Sequence, residues 1–311
     1  MKKGVQEYFD TFIYECEFVR KIRPETIRGY TQAYKTLVTL SHIETIEDIN
    51  SATLIQFFKT LQERKRIVGR GTLKTGVKKS TVASYWSKLN VFFSWLNTKG
   101  YIPQNPFGGI KYPTPTYEDK KYLHKEEIEK ILTAIHIHHH DTILLLKRNL
   151  TLFHLLLFCG LRKEEVMLLQ VRDIDFERKM LTIRAETSKS NRSRQIPIHT
   201  ATLMHLKDYL KERNSYTTPY LIISHNRDDK LTYDGLKHLV TKLRTASGVP
   251  FHLHQFRHTF AVNFLNTTNN IFTLKNLLGH SDIRVTTLYL RCMPPEESRT
   301  AIETLSIDTF L

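Results

Sequence analysis

The stretch "LHQFRHTFAV", residues 253–262, sets two histidines four positions apart with an arginine between them and then runs apolar. On a helix His254 and His258 share a face, the spacing of a two-histidine zinc site. The position that would carry the general base of such a site is Gln255, and Arg257, close to His254 on the same face, would repel a divalent cation. A histidine and an arginine one helical turn apart also make a phosphate clamp, because a guanidinium matches phosphate oxygens in a planar fork and an imidazole can move a proton. The third reading is a plain helix start. The rest of the chain has to decide among the three.

The 311 residues carry 46 Lys and Arg against 31 Asp and Glu, a formal charge of +15. That excess favours a polyanionic partner, nucleic acid before an acidic membrane surface. No apolar run approaches the roughly 18 residues of a spanning helix, and "MKKGVQEYFDTF" (1–12) lacks the apolar centre of a signal peptide. Cys16, Cys159 and Cys292 offer neither a disulfide framework nor a C-x-x-C pair. The expectation is a cytoplasmic protein of a reducing compartment that works on the nucleoid, with no membrane partner.

The length suggests two domains. Residues 1–107 read as helices: "RPETIRGYTQAYKTLVTL" starts at Pro24 with apolar residues three and four apart, and "SATLIQFFKTLQER" and "STVASYWSKLNVFFSWLNTKG" follow, each with a Ser as its expected cap. Between those two lies "RKRIVGRGTLKTGVKK", where Arg64, Lys65, Arg66, Arg70, Lys74, Lys78 and Lys79 occur without an acid. This reads as a flexible segment that settles onto a phosphate backbone. The Pro- and Gly-rich residues 108–121 read as an interdomain linker. From 122 onward the pattern is mostly helical, interrupted by "KMLTIR" and "RQIPI", two strands of a small antiparallel sheet. "HIHHHD" (136–141) reads as a solvated turn at a helix end and not as a metal site.

Several segments of the second domain stand in a telling order. "GLRKEEV" places Arg162 after a glycine turn with Glu165 three residues on, "HQFRHTFA" holds His254 and Arg257, and "LLGHSDIRVTTLY" holds His280 and, nine residues later, Tyr289. This set resembles the motifs of the tyrosine recombinase (phage integrase) family, with Val166 and Phe256 each standing where that family usually has Leu. Lys189, eight residues before Pro197 in the turn between the two strands, matches the family's lysine. The N-terminal half is similar to the family's core-binding domain. Two departures are visible: "NFLNTTNNIFTL" (263–274) lacks the glycine usual between the two histidine motifs, and the basic segment 64–79 is longer than in compact members.

The resemblance implies a mainly α protein, a helical core-binding domain (1–107) plus a mostly helical catalytic domain (122–311) with a small antiparallel sheet, forming a C-shaped clamp on DNA. It also implies site-specific strand exchange through a 3′-phosphotyrosine, with no metal and no cofactor, on a double-stranded recombination site and as a DNA-bound homotetramer. The residue types suit that chemistry. A tyrosine hydroxyl conserves the phosphodiester energy in a protein adduct, so Tyr289 needs no ATP. Arg162 and Arg257 would neutralise charge on the nonbridging oxygens. Lys189 would protonate the leaving oxygen, His254 would move a proton, His280 would add a phosphate donor, and Glu165 would orient its neighbours from behind. His258 is assigned a buried hydrogen bond. The tail 296–311, with Ala301, Ile302 and Leu305 at helical spacing, offers an apolar face for a neighbouring protomer or for its own domain. The rival readings are a type IB topoisomerase-like relaxing enzyme and a noncatalytic DNA-binding relative of the same fold.

Overall fold

The computed structural model describes residues 4–69, 71–114, 122–139 and 142–290. The chain divides into two compact units, residues 1–118 and 119–311. Arg70, residues 115–121 of the Pro-rich segment, the His140 and Asp141 end of the histidine run, Cys292 and the tail 296–311 lie outside the described residues.

The first unit contains helices α1 (Val5–Tyr14), α2 (Pro24–Ser41), α3 (Ser51–Glu63) and α4 (Lys79–Thr98). Pro24 opens α2 at its first turn, where the missing N–H costs nothing. The helices close on an aromatic core in which Phe9 stacks on Tyr34 at 3.8 Å, and Phe12, Phe57, Phe92 and Phe93 are buried. The expected serine caps are corrected. Asn50 caps α3 by accepting from the Thr53 N–H, which leaves Ser51 to donate to the Pro106 carbonyl, and α4 begins at Lys79 with no side-chain cap. The segment read as flexible is also corrected: it is an antiparallel hairpin of β1 (Lys65–Val68) and β2 (Thr72–Thr75), closed by Gly69 and Gly71 at positive φ. β-Branched residues in both strands, Ile67, Val68, Thr72 and Thr75, and glycines at a tight turn suffice to pair them.

The second unit follows the order α5 (Lys125–His139), α6 (Ile143–Phe158), α7 (Lys163–Met167), β3 (Ile174–Asp175), β4 (Met180–Ile183), β5 (Arg194–Pro197), α8 (Thr200–Glu212), α9 (Tyr233–Ser247), α10 (Leu253–Thr268), α11 (Ile271–Leu278) and α12 (Ile283–Thr287). Helix α5 runs through most of the histidine run, so His136 and His138 sit on a helix and not in a turn. The strands form one antiparallel sheet in the order β3-β4-β5, with Leu181 opposite Ile196 and Ile183 opposite Arg194. Helix α6 is apolar on nearly all sides and is the buried centre of the unit. The fold is therefore mainly α with small antiparallel sheets. Among the described residues no helix is long and apolar enough to cross a membrane.

Two backbone positions shape the site. Gly160, after α6, has φ +59, and a Cβ there would lie 2.4 Å from the ring of Phe260. Only glycine turns the chain there and lets α10 pack close. At the end of α10, Asn269 takes the left-handed conformation (φ 50) that ends the helix. Asparagine tolerates that region, so the helix ends there without a glycine.

Candidate active site

Arg162 caps α7 and lies at the mouth of a cleft of about 550 Å³, which it lines together with Lys189, His254, Lys163, Lys237 and Arg244. Four separate parts of the chain meet there. Lys189 is exposed on the connection between β4 and β5, and His254 is exposed on the first turn of α10. That connection is tethered at its start by Arg184, which binds Asp173 and donates to the Leu168 carbonyl at 3.0 Å.

Glu165 lies behind the cleft, 1 % exposed. Its carboxylate accepts from the Arg162 N–H at 2.8 Å and from Arg162 Nη1 at 2.9 Å, and from Arg194 Nη1 and Nη2 at 2.9 and 2.7 Å. Burial alone would raise its pKa, but the hydrogen bonds and charge of Arg194, with those of Arg162, overcome burial and bring it down to about 2. Arg194 also donates from Nε to the Leu277 carbonyl at 2.7 Å. One side chain thus ties the strand β5 to the Arg162 turn and to the end of α11. Sequence reading missed Arg194, because an arginine after "SNRS" looks like part of a solvated basic turn. Its place at the head of β5 was the available signal.

Arg257 differs from Arg162 in surroundings. It is 1 % exposed on α10; Nη1 donates to the Gly160 carbonyl and Nη2 to the Leu278 carbonyl, each at 2.7 Å. Burial, and then repulsion from Arg162, pull its pKa down to about 9, so it stays charged at neutral pH. Nη2 also lies 3.1 Å from His280 Nε2. A guanidinium only donates, so Nε2 accepts, and the Nδ1–H then donates to Thr286 Oγ1 at 2.9 Å. Gly279, at φ +62, turns the chain before His280, and a Cβ there would lie 3.0 Å from Arg194 Cδ.

Tyr289 is 1 % exposed and belongs to a small apolar cluster with Ala261, Val262, Leu265, Leu274 and Leu278. Its hydroxyl lies 3.1 Å from His258 Nδ1, and its ring is parallel to that of His280 with centroids 6.5 Å apart. His258 therefore has the buried hydrogen bond expected of it, and the partner is the candidate nucleophile. The His254 and His258 rings meet edge to face at 4.3 Å. Among the described residues no group of three or more His, Cys, Asp or Glu is placed to hold a metal ion. Arg162, Lys189 and His254 thus share the open cleft, while the buried Arg257, His258 and Tyr289 form, with the half-buried His280, a wall that His258 joins to the cleft through its ring contact with His254.

The phage integrase family profile matches residues 121–294. The chain belongs to that family. Its relatives include a tyrosine recombinase XerC of Oceanobacillus iheyensis, 26 % identical over 91 % of this chain and 90 % of that protein, and a tyrosine recombinase of Pseudothermotoga lettingae, 26 % identical over 96 % of each. Among solved structures, the Tn1549 transposon integrase in complex with a circular intermediate DNA superposes with a TM-score of 0.73 at 19 % identity, over 96 % of this chain and 98 % of that one. The XerH site-specific recombinase bound to a palindromic difH substrate gives 0.70 at 20 % identity, over 92 % and 82 %. These structures share the fold.

Proposed function

We propose that this protein is a tyrosine site-specific recombinase whose nucleophile is Tyr289. The observation that carries the reading is the convergence of Arg162, Lys189, His254, Arg257, His280 and Tyr289, drawn from four sequence segments, on one cleft and its wall. The Tyr289 oxygen attacks the phosphorus of a DNA phosphodiester, the bond from phosphorus to the 5′ oxygen breaks, and a 3′-phosphotyrosine remains. Lys189 gives a proton to the departing 5′ oxygen, and His254, as base or shuttle, takes the proton that the Tyr289 hydroxyl loses. Arg162 and Arg257 hold the nonbridging oxygens, with His280 beside them and Glu165 fixing Arg162. In the resting protein the Tyr289 hydroxyl is bonded to His258 inside the apolar cluster, so cleavage begins with its release. No step calls for a metal or a cofactor.

The partner is duplex DNA at a recombination site, contacted in the N-terminal unit by Arg64, Lys65, Arg66, Arg70, Lys74, Lys78 and Lys79. The protein works in the cytoplasm on the nucleoid, with a helical core-binding domain over 1–107, a linker over 108–121 and a catalytic domain over 122–311. Four copies assemble on two duplexes, helped by docking of the tail 296–311. An apolar groove of about 870 Å³ lined by Tyr122, Leu132, Phe158, Phe260 and Phe264 is a receiving surface of suitable character. The recombinase relatives of Oceanobacillus iheyensis and Pseudothermotoga lettingae match 91 % and 96 % of this chain, which favours strand exchange over a relaxing enzyme or a noncatalytic binder.

The test is covalent trapping. The protein is incubated in EDTA with nicked DNA from the flanks of its gene, beside Tyr289→Phe, and run on a denaturing gel. A slow-migrating adduct that the Phe variant lacks is the expected result; an adduct of equal yield from both proteins would remove Tyr289 from the mechanism.

A further inference from the structure

The hairpin β1–β2 leaves the helical unit on a fixed root. Gly76, just past β2, is buried at φ +65, and a Cβ there would lie 2.2 Å from the Gln62 carbonyl oxygen. Its N–H donates to the Arg64 carbonyl at 2.9 Å, and its own carbonyl accepts from Arg66 Nε at 2.7 Å. The hairpin is therefore clamped to the end of α3 and projects as a two-stranded ribbon.

One face of that ribbon is out of keeping with a solvated turn. Ile67 and Leu73 are direct cross-strand partners, so their side chains stand together on one face, and they are 73 % and 62 % exposed. Lys65 and Thr75, two residues back along the strands, lie on the same face. Between 64 and 79 the chain has seven Lys or Arg and no acid. An apolar pair of this size is small for a stable protein interface, and the surrounding charge selects a polyanion. Aliphatic side chains on a cationic ribbon match the wedges that unstack and kink duplex DNA from the minor groove.

We propose that β1–β2 is a DNA wedge: Ile67 and Leu73 press against a base step from the minor groove while the flanking cations hold the phosphates, so that the N-terminal unit bends the duplex it binds. This rests on the DNA reading above. It adds to phosphate contact a deformation of the DNA, and with it a preference for sequences that kink easily, such as pyrimidine–purine steps.

The experiment uses the full-length protein and a short duplex of mixed sequence, labelled at its ends for energy transfer and carrying 2-aminopurine at an internal TA step. Affinity is measured by anisotropy at low salt. Wild type is expected to raise both energy transfer and 2-aminopurine fluorescence. The double substitution Ile67→Thr, Leu73→Thr puts β-branched residues that suit the strands at both positions, and is expected to lose both signals with affinity reduced about threefold or less. Lys74→Ala with Lys78→Ala is expected to show the reverse: weaker binding, a salt slope lower by about 0.9 per lost phosphate contact, and bending retained at saturation. Wild type that binds but leaves the duplex straight, or a double Thr variant that bends it equally, would overturn the wedge. So would a double Thr variant altered only in self-association by sedimentation, since the face would then be a protein contact. Failure of wild type to bind duplex at low salt would overturn the recombinase reading as well.

Discussion

Arg162 and Arg257 carry the same group toward the same proposed phosphate, yet they stand in opposite environments. Arg162 has a side chain 18 % exposed at the cleft mouth and is neutralised by Glu165. Arg257 is 1 % exposed, is held by two backbone carbonyls, and feels burial and the Arg162 charge as a depressed pKa. The difference teaches that the site is built in two parts. The first can receive a phosphate as it stands, whereas the second is structural in the resting protein, so the wall that holds Tyr289 and His280 also holds α10 and α11 together.

The largest effect on this comparison is expected from Glu165→Gln. It leaves Arg194 and Arg162 without their buried counter-charge, and should lower the stability of the second unit by roughly 3–5 kcal/mol, read in urea melts. The acid limb gives an independent check. The folded pKa of Glu165, about 2, lies below its ordinary value, so its contribution is present above roughly pH 4.5 and is lost as pH falls toward 2. The Gln variant should lack that part of the acid dependence; an unchanged acid limb would mean that the carboxylate is not the coupling group.

Arg257→Lys comes next. An ammonium cannot span the Gly160 and Leu278 carbonyls as the fork does, so a loss of roughly 1–3 kcal/mol is expected. The matched Arg162→Lys should cost about 1 kcal/mol or less in the same melts, because Glu165 keeps Arg194. Both should lower adduct formation by roughly 10²–10³. Equal losses of stability for the two variants in urea would erase the distinction between mouth and wall.

Much of this was legible in sequence. Pro24 and the turn at Gly160 mark helix ends that the structure keeps, and the strands around 180–183 and 194–197 fall where β-branched and aliphatic residues bracket a polar turn. The hairpin at 65–75 was hidden because cations dominate the composition of its segment, seven of them between 64 and 79, while the pairing depends on only a few β-branched residues and two glycines. The Ser51 cap failed for a local reason, since Asn50 sits one position earlier and reaches the Thr53 N–H first.

The sequence by itself determined which groups were present and in what order: the two arginines, the lysine on a turn, the histidines at helical spacing and the tyrosine nine residues after "LLGH". These follow from period, turn chemistry and motif spacing, which are local. Only the tertiary structure decided that Arg194 joins Glu165, that Arg257 spends its donors on two carbonyls, and that the Tyr289 hydroxyl rests on His258. Each of these contacts joins residues at least 21 positions apart in the chain. Their partners are chosen by close packing among α6, α10, α11 and β5, and by the need of every buried polar group for a mate, neither of which a linear pattern records.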